Sequence, residues 1–211
     1  MQRAHLITKV LDFGAGIYDP LLRIAVDEQE FRKRLLEFAH LQGNEKVLDI
    51  GCGTGSLCLM LAKILDKGSV CGIDISFKMV AIAKRKAEQI TRKIDYRVGN
   101  STALPYHSKT FDVVFTGLMY HHLDYEEKQG ALGEIHRVLK HNGRYISIEF
   151  GAFPRDFFHR MIIGFTRSSG ILHGIYPNEL IEGAGLHVIN EREGPALGGH
   201  HKTKYRVLGK M

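Results

Sequence analysis

An α/β fold, built on one mainly parallel sheet with helices on both faces, is predicted by three observations. Short apolar runs recur at 46–50, 69–73, 94–98, 111–115 and 144–150, and stretches with helical spacing alternate with them. A cluster of glycines follows the first run directly. At 211 residues, with 44% hydrophobic content and 25% charge, the chain suits one well-buried core and is short for two. A single domain over 1–211 is therefore expected.

The elements follow in order. Residues 27–41 read as a helix with Phe31, Leu35 and Phe38 on one side, and 1–42 are assigned as an N-terminal helical lid segment. After the strand at 46–50, Leu57, Met60, Leu61, Ile64 and Leu65 keep one helical stripe. Beyond the second strand, Val80, Ala83, Ala87 and Ile90 form the inward face of another helix. The third and fourth strands precede a helix marked by Ala131, Leu132, Ile135, Val138 and Leu139. That helix is expected to stop at His141-Asn142-Gly143, with Gly143 as a left-handed C-terminal cap, before the strand at 144–150. Residues 43–150 make up the core, 151–180 an insertion, and 181–211 a closing hairpin in which 186–191 and 202–208 alternate around a glycine-containing loop.

Composition narrows the functional classes. Three cysteines, Cys52, Cys58 and Cys71, show no CxxC spacing and fit neither a disulfide framework nor a structural zinc site. No window approaches the roughly 18 apolar residues a membrane-spanning helix needs, and a soluble, cytoplasmic protein is expected. The net charge of +6 raises the question of nucleic acid, but the surplus is concentrated in 51–110, much of it in Lys84, Arg85, Lys86, Arg92 and Lys93 on and after one helix. A solvated helix face accounts for it.

The chemistry begins at Val47-Leu48-Asp49-Ile50-Gly51-Cys52-Gly53-Thr54-Gly55-Ser56. A buried strand running into close glycines and then a helix brings bare backbone to a ligand at the strand's carboxyl end. The spacing is G-x-G-x-G: Ser56 stands where a dinucleotide fingerprint wants its third glycine. Asp49 would repel a pyrophosphate there, yet suits the cationic sulfonium and amino group of S-adenosyl-L-methionine. Asp74, ending the second strand in Gly72-Ile73-Asp74-Ile75-Ser76, can accept hydrogen bonds from both ribose hydroxyls, while Ser76 caps the next helix. Asn100, after the third strand, offers an amide oxygen to an adenine amino group.

Taken in succession, LDIGCGTG, GIDIS, GNSTALPYHSKTFDVV and EIHRVLKHNGRYISIEF resemble the motifs of the class I S-adenosylmethionine-dependent methyltransferases. Tyr18-Asp19 and Ile148-Glu149-Phe150 are similar to the ubiquinone/menaquinone C-methyltransferase branch. The resemblance implies a Rossmann-like seven-stranded sheet of order 3-2-1-4-5-7-6 with the last strand antiparallel. It also implies a cofactor set of Asp49, Gly51, Cys52, Gly53, Asp74, Ile75, Asn100, Ser101, Gly117 and Leu118, with Tyr18 closing from the other side. Two departures stand out: Gly99-Asn100 replaces the usual Gly-Asp, and the loop from Gly117 to Asp124 lacks the arginine and asparagine of the quinone enzymes.

Transfer from a sulfonium needs in-line positioning in a water-poor pocket, and a base only when the acceptor must lose a proton. His121, His122 or Tyr120 stand at the right edge for that, His121 and Tyr120 being the residues assigned to it, with packing as the alternative for each. The insertion around Phe153–Phe165, with Arg155, Arg160 and Arg167, reads either as a core-covering helix or as a lid over an aromatic or lipid-like acceptor, with peripheral membrane contact through the arginines. The expected partner is a small-molecule acceptor. The alternatives are an RNA-modifying enzyme and a non-catalytic cofactor-binding protein.

Overall fold

The computed structural model describes residues 33, 36–117, 119–120, 123–150, 178–196 and 201–211. The expected positions Tyr18, Leu118, His121 and His122 and the insertion at 151–177 lie outside the described residues.

Seven strands form one sheet: β1 (Lys46–Ile50), β2 (Ser69–Asp74), β3 (Ile94–Val98), β4 (Phe111–Gly117), β5 (Leu139–Phe150), β6 (Leu186–Ala196) and β7 (His201–Lys210). Their order is β3-β2-β1-β4-β5-β7-β6. β1 pairs parallel with β2 and β4, and β7 runs antiparallel between β5 and β6, as the closing hairpin predicts. Helices α1 (Ser56–Ile64), α2 (Phe77–Ala87), α3 (Tyr125–Val138) and α4 (Asn178–Gly183) are described beside it.

Both sheet faces are buried, which is why β1 reads as a continuous apolar run rather than an alternating one. Val47 joins a core with Leu57, Leu61 and Ala83, from α1 and α2. Leu48 and Ile50 join a second core on the other face, with Leu132, Ile135 and Val138 from α3. Ile90 packs on the first core from beyond the end of α2.

The expected stop of α3 at Gly143 is corrected. The helix ends at Val138, Leu139 is extended at its C-cap, and β5 starts there, paired with Phe111. Gly143 is absent from the described positive-φ positions. Its need is steric instead: a Cβ would lie 2.9 Å from Leu139 Cδ2 and 3.2 Å from the Asp112 carbonyl. The start of α3 follows local rules, since Asp124 and Glu127 form a reciprocal capping box.

Candidate active site

Parallel β1, β2, β3, β4 and β5 all point their carboxyl ends to one edge, so their terminal residues converge whatever their separation in sequence. At that edge Gly51, Gly53 and Gly55 have φ of 72°, 52° and 80°, conformations that glycine adopts without cost. Two of them also admit close approach. A Cβ on Gly51 would meet Met119 Cγ at 2.6 Å, and one on Gly55 would meet the Tyr96 hydroxyl at 2.3 Å.

The loop's amides are turned to the neighbouring strand. Gly51 and Cys52 N–H both donate to the Ile73 carbonyl at 2.8 and 3.1 Å, and Gly53 N–H donates to Asp74 Oδ2 at 2.8 Å. Gly55 N–H donates to the Cys52 carbonyl at 2.9 Å. A phosphate cradle presents such amides to its anion. Here they are engaged within the fold, and the edge presents carboxylates instead.

Asp49 and Asp74 are buried at 3% and 8% exposure. Asp49 Oδ2 accepts from the Cys58 thiol at 3.4 Å. Burial, the Cys52 contact and the Asp49 charge together hold the Cys58 thiol well above its ordinary range. Asp74 divides its oxygens: Oδ2 receives Gly53 N–H, and Oδ1 receives Ser76 N–H at 2.8 Å. One carboxylate thus ties the glycine loop to the first turn of α2, where Ser76 Oγ accepts from Met79 N–H.

The remaining expected positions divide. Ile75 is half-buried beside Asp74, and Cys52 turns inward, its thiol 3.9 Å from the Gly53 carbonyl. Asn100 is exposed and its Oδ1 accepts from Thr102 N–H at 3.1 Å, while Ser101 is buried beside it. Gly117 ends β4, and a Cβ there, as at Gly53, would meet no described atom within 4 Å. Tyr120 is 1% exposed within the α3-side core. The basic stripe lies in the last turn of α2 and beyond it, and Lys86 reaches the glycine loop itself, donating to Thr54 Oγ1 at 2.8 Å.

Sequence reasoning missed Tyr96, Met119 and Glu149 as working residues. Tyr96 donates its hydroxyl to the Gly55 carbonyl at 3.2 Å and its ring lies against Gly72, so it braces the loop from β3. Glu149 is 3% exposed near the end of β5, and among the described residues neither carboxyl oxygen has a close hydrogen-bond donor. Burial pushes it well above the ordinary carboxylate range, against the pull of Lys128, the Tyr120 backbone N–H and Arg206. A charged residue inside the run Tyr-Ile-Ser-Ile-Glu-Phe was the available signal.

Residues 47–143 match the family described as "Methyltransferase domain". Demethylmenaquinone methyltransferase of Thermus thermophilus is 32% identical over 157 residues, covering 74% of this chain and 64% of that protein. The chain spans about three fifths of the length of the curated relatives it matches. A S-adenosylmethionine-dependent methyltransferase structure from Aquifex aeolicus superposes with a TM-score of 0.70 at 21% identity, over 93% of this chain and 97% of that one. Geranyl diphosphate C-methyltransferase from Streptomyces coelicolor, solved with S-adenosyl-L-homocysteine, superposes with a TM-score of 0.71 at 17% identity, over 87% and 79% of the two chains.

Proposed function

We propose that this chain transfers a methyl group from S-adenosylmethionine to a small aromatic or lipid-like acceptor, a reading supported by the match of residues 47–143 to a methyltransferase domain and by a fold shared with a S-adenosylmethionine-dependent methyltransferase. One observation carries the choice of cofactor. The amides of Gly51, Cys52 and Gly53 are spent on Ile73 and Asp74, and two carboxylates are buried at the edge, an arrangement that favours a cation over a pyrophosphate.

S-adenosyl-L-methionine, when bound, supplies an electrophilic methyl group on a sulfonium. Asp49 provides the compensating negative charge beneath the glycine loop. Asp74 accepts from the ribose hydroxyls while holding Gly53 in place. Ile75 and Ser101 flank the adenine, with Asn100 beside them. Gly53 and Gly117 leave room, because a side chain at either would project into space that no described atom fills. On the acceptor side the chain's task is to align the nucleophile and exclude water. His121 and Tyr120 remain the assigned proton-handling residues there, in the loop after β4.

Relatives from several bacteria are named demethylmenaquinone methyltransferases, which supports a hydroxylated aromatic ring as the acceptor class. Calorimetry with S-adenosylmethionine, S-adenosylhomocysteine, NAD and NADP tests the cofactor, and transfer of radiolabel to a short-chain 1,4-naphthohydroquinone tests the acceptor. Binding of the first two ligands alone is expected. NAD binding with no response to S-adenosylmethionine would sink the reading.

A further inference from the structure

Glu149 is difficult to explain as a structural residue. A carboxyl at 3% exposure whose oxygens meet no close hydrogen-bond donor among the described residues is costly in an ordinary core, and folds rarely keep one without a use. Its surroundings are charged, and the basic groups that act on it also serve other acids. Arg206 on β7 donates to Glu191 Oε2 at 2.6 Å and to Asn178 Oδ1 at 3.4 Å. Lys204, the β7 residue paired with Glu149, donates to Glu191 Oε1 at 2.7 Å. Lys128 of α3 answers to Glu149 and Asp124 together, and burial lowers its own pKa. Burial thus drives Glu149 and Lys128 toward their uncharged forms.

Position supplies the use. Glu149 follows Ile148, which pairs with Gly117 at the end of β4, so the carboxyl stands at the edge where β4 and β5 finish. Met119 lies against Gly51 of the glycine loop, and the next residue, Tyr120, brings its backbone N–H toward Glu149. A continuous path of three residues therefore joins the cofactor loop to this carboxyl. Below it, on the same strand face, Tyr145 is held by Thr116 Oγ1 at 2.7 Å, which fixes β5 against β4.

We propose that Glu149 recognises the acceptor: at the end of β5 its carboxyl hydrogen-bonds an oxygen of a hydroxylated aromatic acceptor and so sets which ring atom faces the methyl group. No proton changes hands in this role. The proposal rests on the methyl-transfer reading above, and it predicts that an uncharged isostere suffices.

The test compares wild type with Glu149→Gln and Glu149→Leu on a short-chain 1,4-naphthohydroquinone kept reduced, with S-adenosylmethionine affinity measured by calorimetry on each. Glu149→Gln should stay within about threefold of wild type, and Glu149→Leu should lose about 10- to 100-fold in kcat/KM through KM, the usual cost of deleting a buried hydrogen-bonding partner. Cofactor affinity should be unchanged in both. Infrared difference spectra at neutral pH should show a protonated-carboxyl band that Glu149→Gln lacks and that shifts when the hydroquinone is added. A merely structural glutamate would not shift that band.

Equal loss in Glu149→Gln and Glu149→Leu would overturn the proposal in favour of proton removal. So would a wild type that binds S-adenosylmethionine but neither methylates the hydroquinone nor moves the band. A wild type that fails to bind S-adenosylmethionine overturns the methyl-transfer reading itself, and the calorimetry separates the two cases.

Discussion

The end of β2 and the end of β5 each bury a carboxylate at the same edge of the sheet, and the two are treated in opposite ways. Asp74 receives Gly53 and Ser76 N–H at 2.8 Å each, whereas Glu149 has no close donor to either oxygen among the described residues and burial pushes it upward. The contrast separates two uses of a buried acid. Where the backbone brings its own donors, an acid becomes part of the scaffold and keeps a fixed anion facing the ligand. Where the described residues bring little against the cost of burial, the acid is favoured in its neutral form and carries a proton it can donate.

The sharpest way to break this comparison is Asp74→Ala, which leaves two amides without their acceptor and releases the glycine loop from α2. A loss of about 3 kcal/mol in urea unfolding is expected, with at least tenfold weaker S-adenosylmethionine binding by calorimetry. A mutant that melts like wild type would show that Asp74 is no part of the scaffold.

Packing beside the two acids should differ as well. Gly72→Ala, next to Asp74 on β2, would put a Cβ 2.7 Å from the Tyr96 ring and 3.0 Å from Cys58 Sγ, and a cost of about 1–3 kcal/mol is expected from thermal melts. Gly117→Ala on the β5 side meets no described atom within 4 Å. It should melt within about 0.5 kcal/mol of wild type while lowering methyl transfer.

The pH dependence of Glu149→Gln sharpens the comparison further. Because the folded value of Glu149 is raised above its ordinary 4.5, the stability it permits is fully present below that pH and is lost as pH rises through the raised value. Glutamine does not ionise. Urea unfolding across a pH series should therefore show variant and wild type alike in acid, with the variant gaining relative stability above the ordinary carboxylate range.

The smallest effect is expected at a third acid that belongs to neither region. Asp112 holds Lys140 Nζ at 2.7 Å on the surface, with side chains 34% and 46% exposed. Solvent and salt screen such a pair, so Lys140→Ala should change stability by less than about 1 kcal/mol, and less still at high salt, in the same urea series.

How much was legible in the sequence follows this division. Near β1 and β2 the site was readable because its parts are local: Asp49, the glycines, Asp74 and Ser76 each lie at a strand end followed at once by a helix. The strand order needed the family resemblance, and the residues that decide between anion and cation in space, Ile73 and Asp74 receiving the loop's amides, needed coordinates. The error at Gly143 has the same origin. A glycine after a helical stripe looks like a cap, but the pairing of Leu139 with Phe111 had already pulled the chain into β5, and close packing against Asp112 is what requires the glycine.

What the sequence determined by itself, then, is the set of elements, the glycine loop and the two aspartates, because hydrophobic period, turn chemistry and capping act over a few residues. What only the tertiary structure decided is the meaning of residues separated by tens of positions. Tyr96 becomes a brace because β3 lies beside β2, and Met119 joins the glycine loop because β4 lies beside β1. Glu149 becomes a buried acid beside β7, whose Arg206 and Lys204 also bond Glu191. Burial and solvation belong to the packed chain as a whole, and no local pattern of residues encodes them.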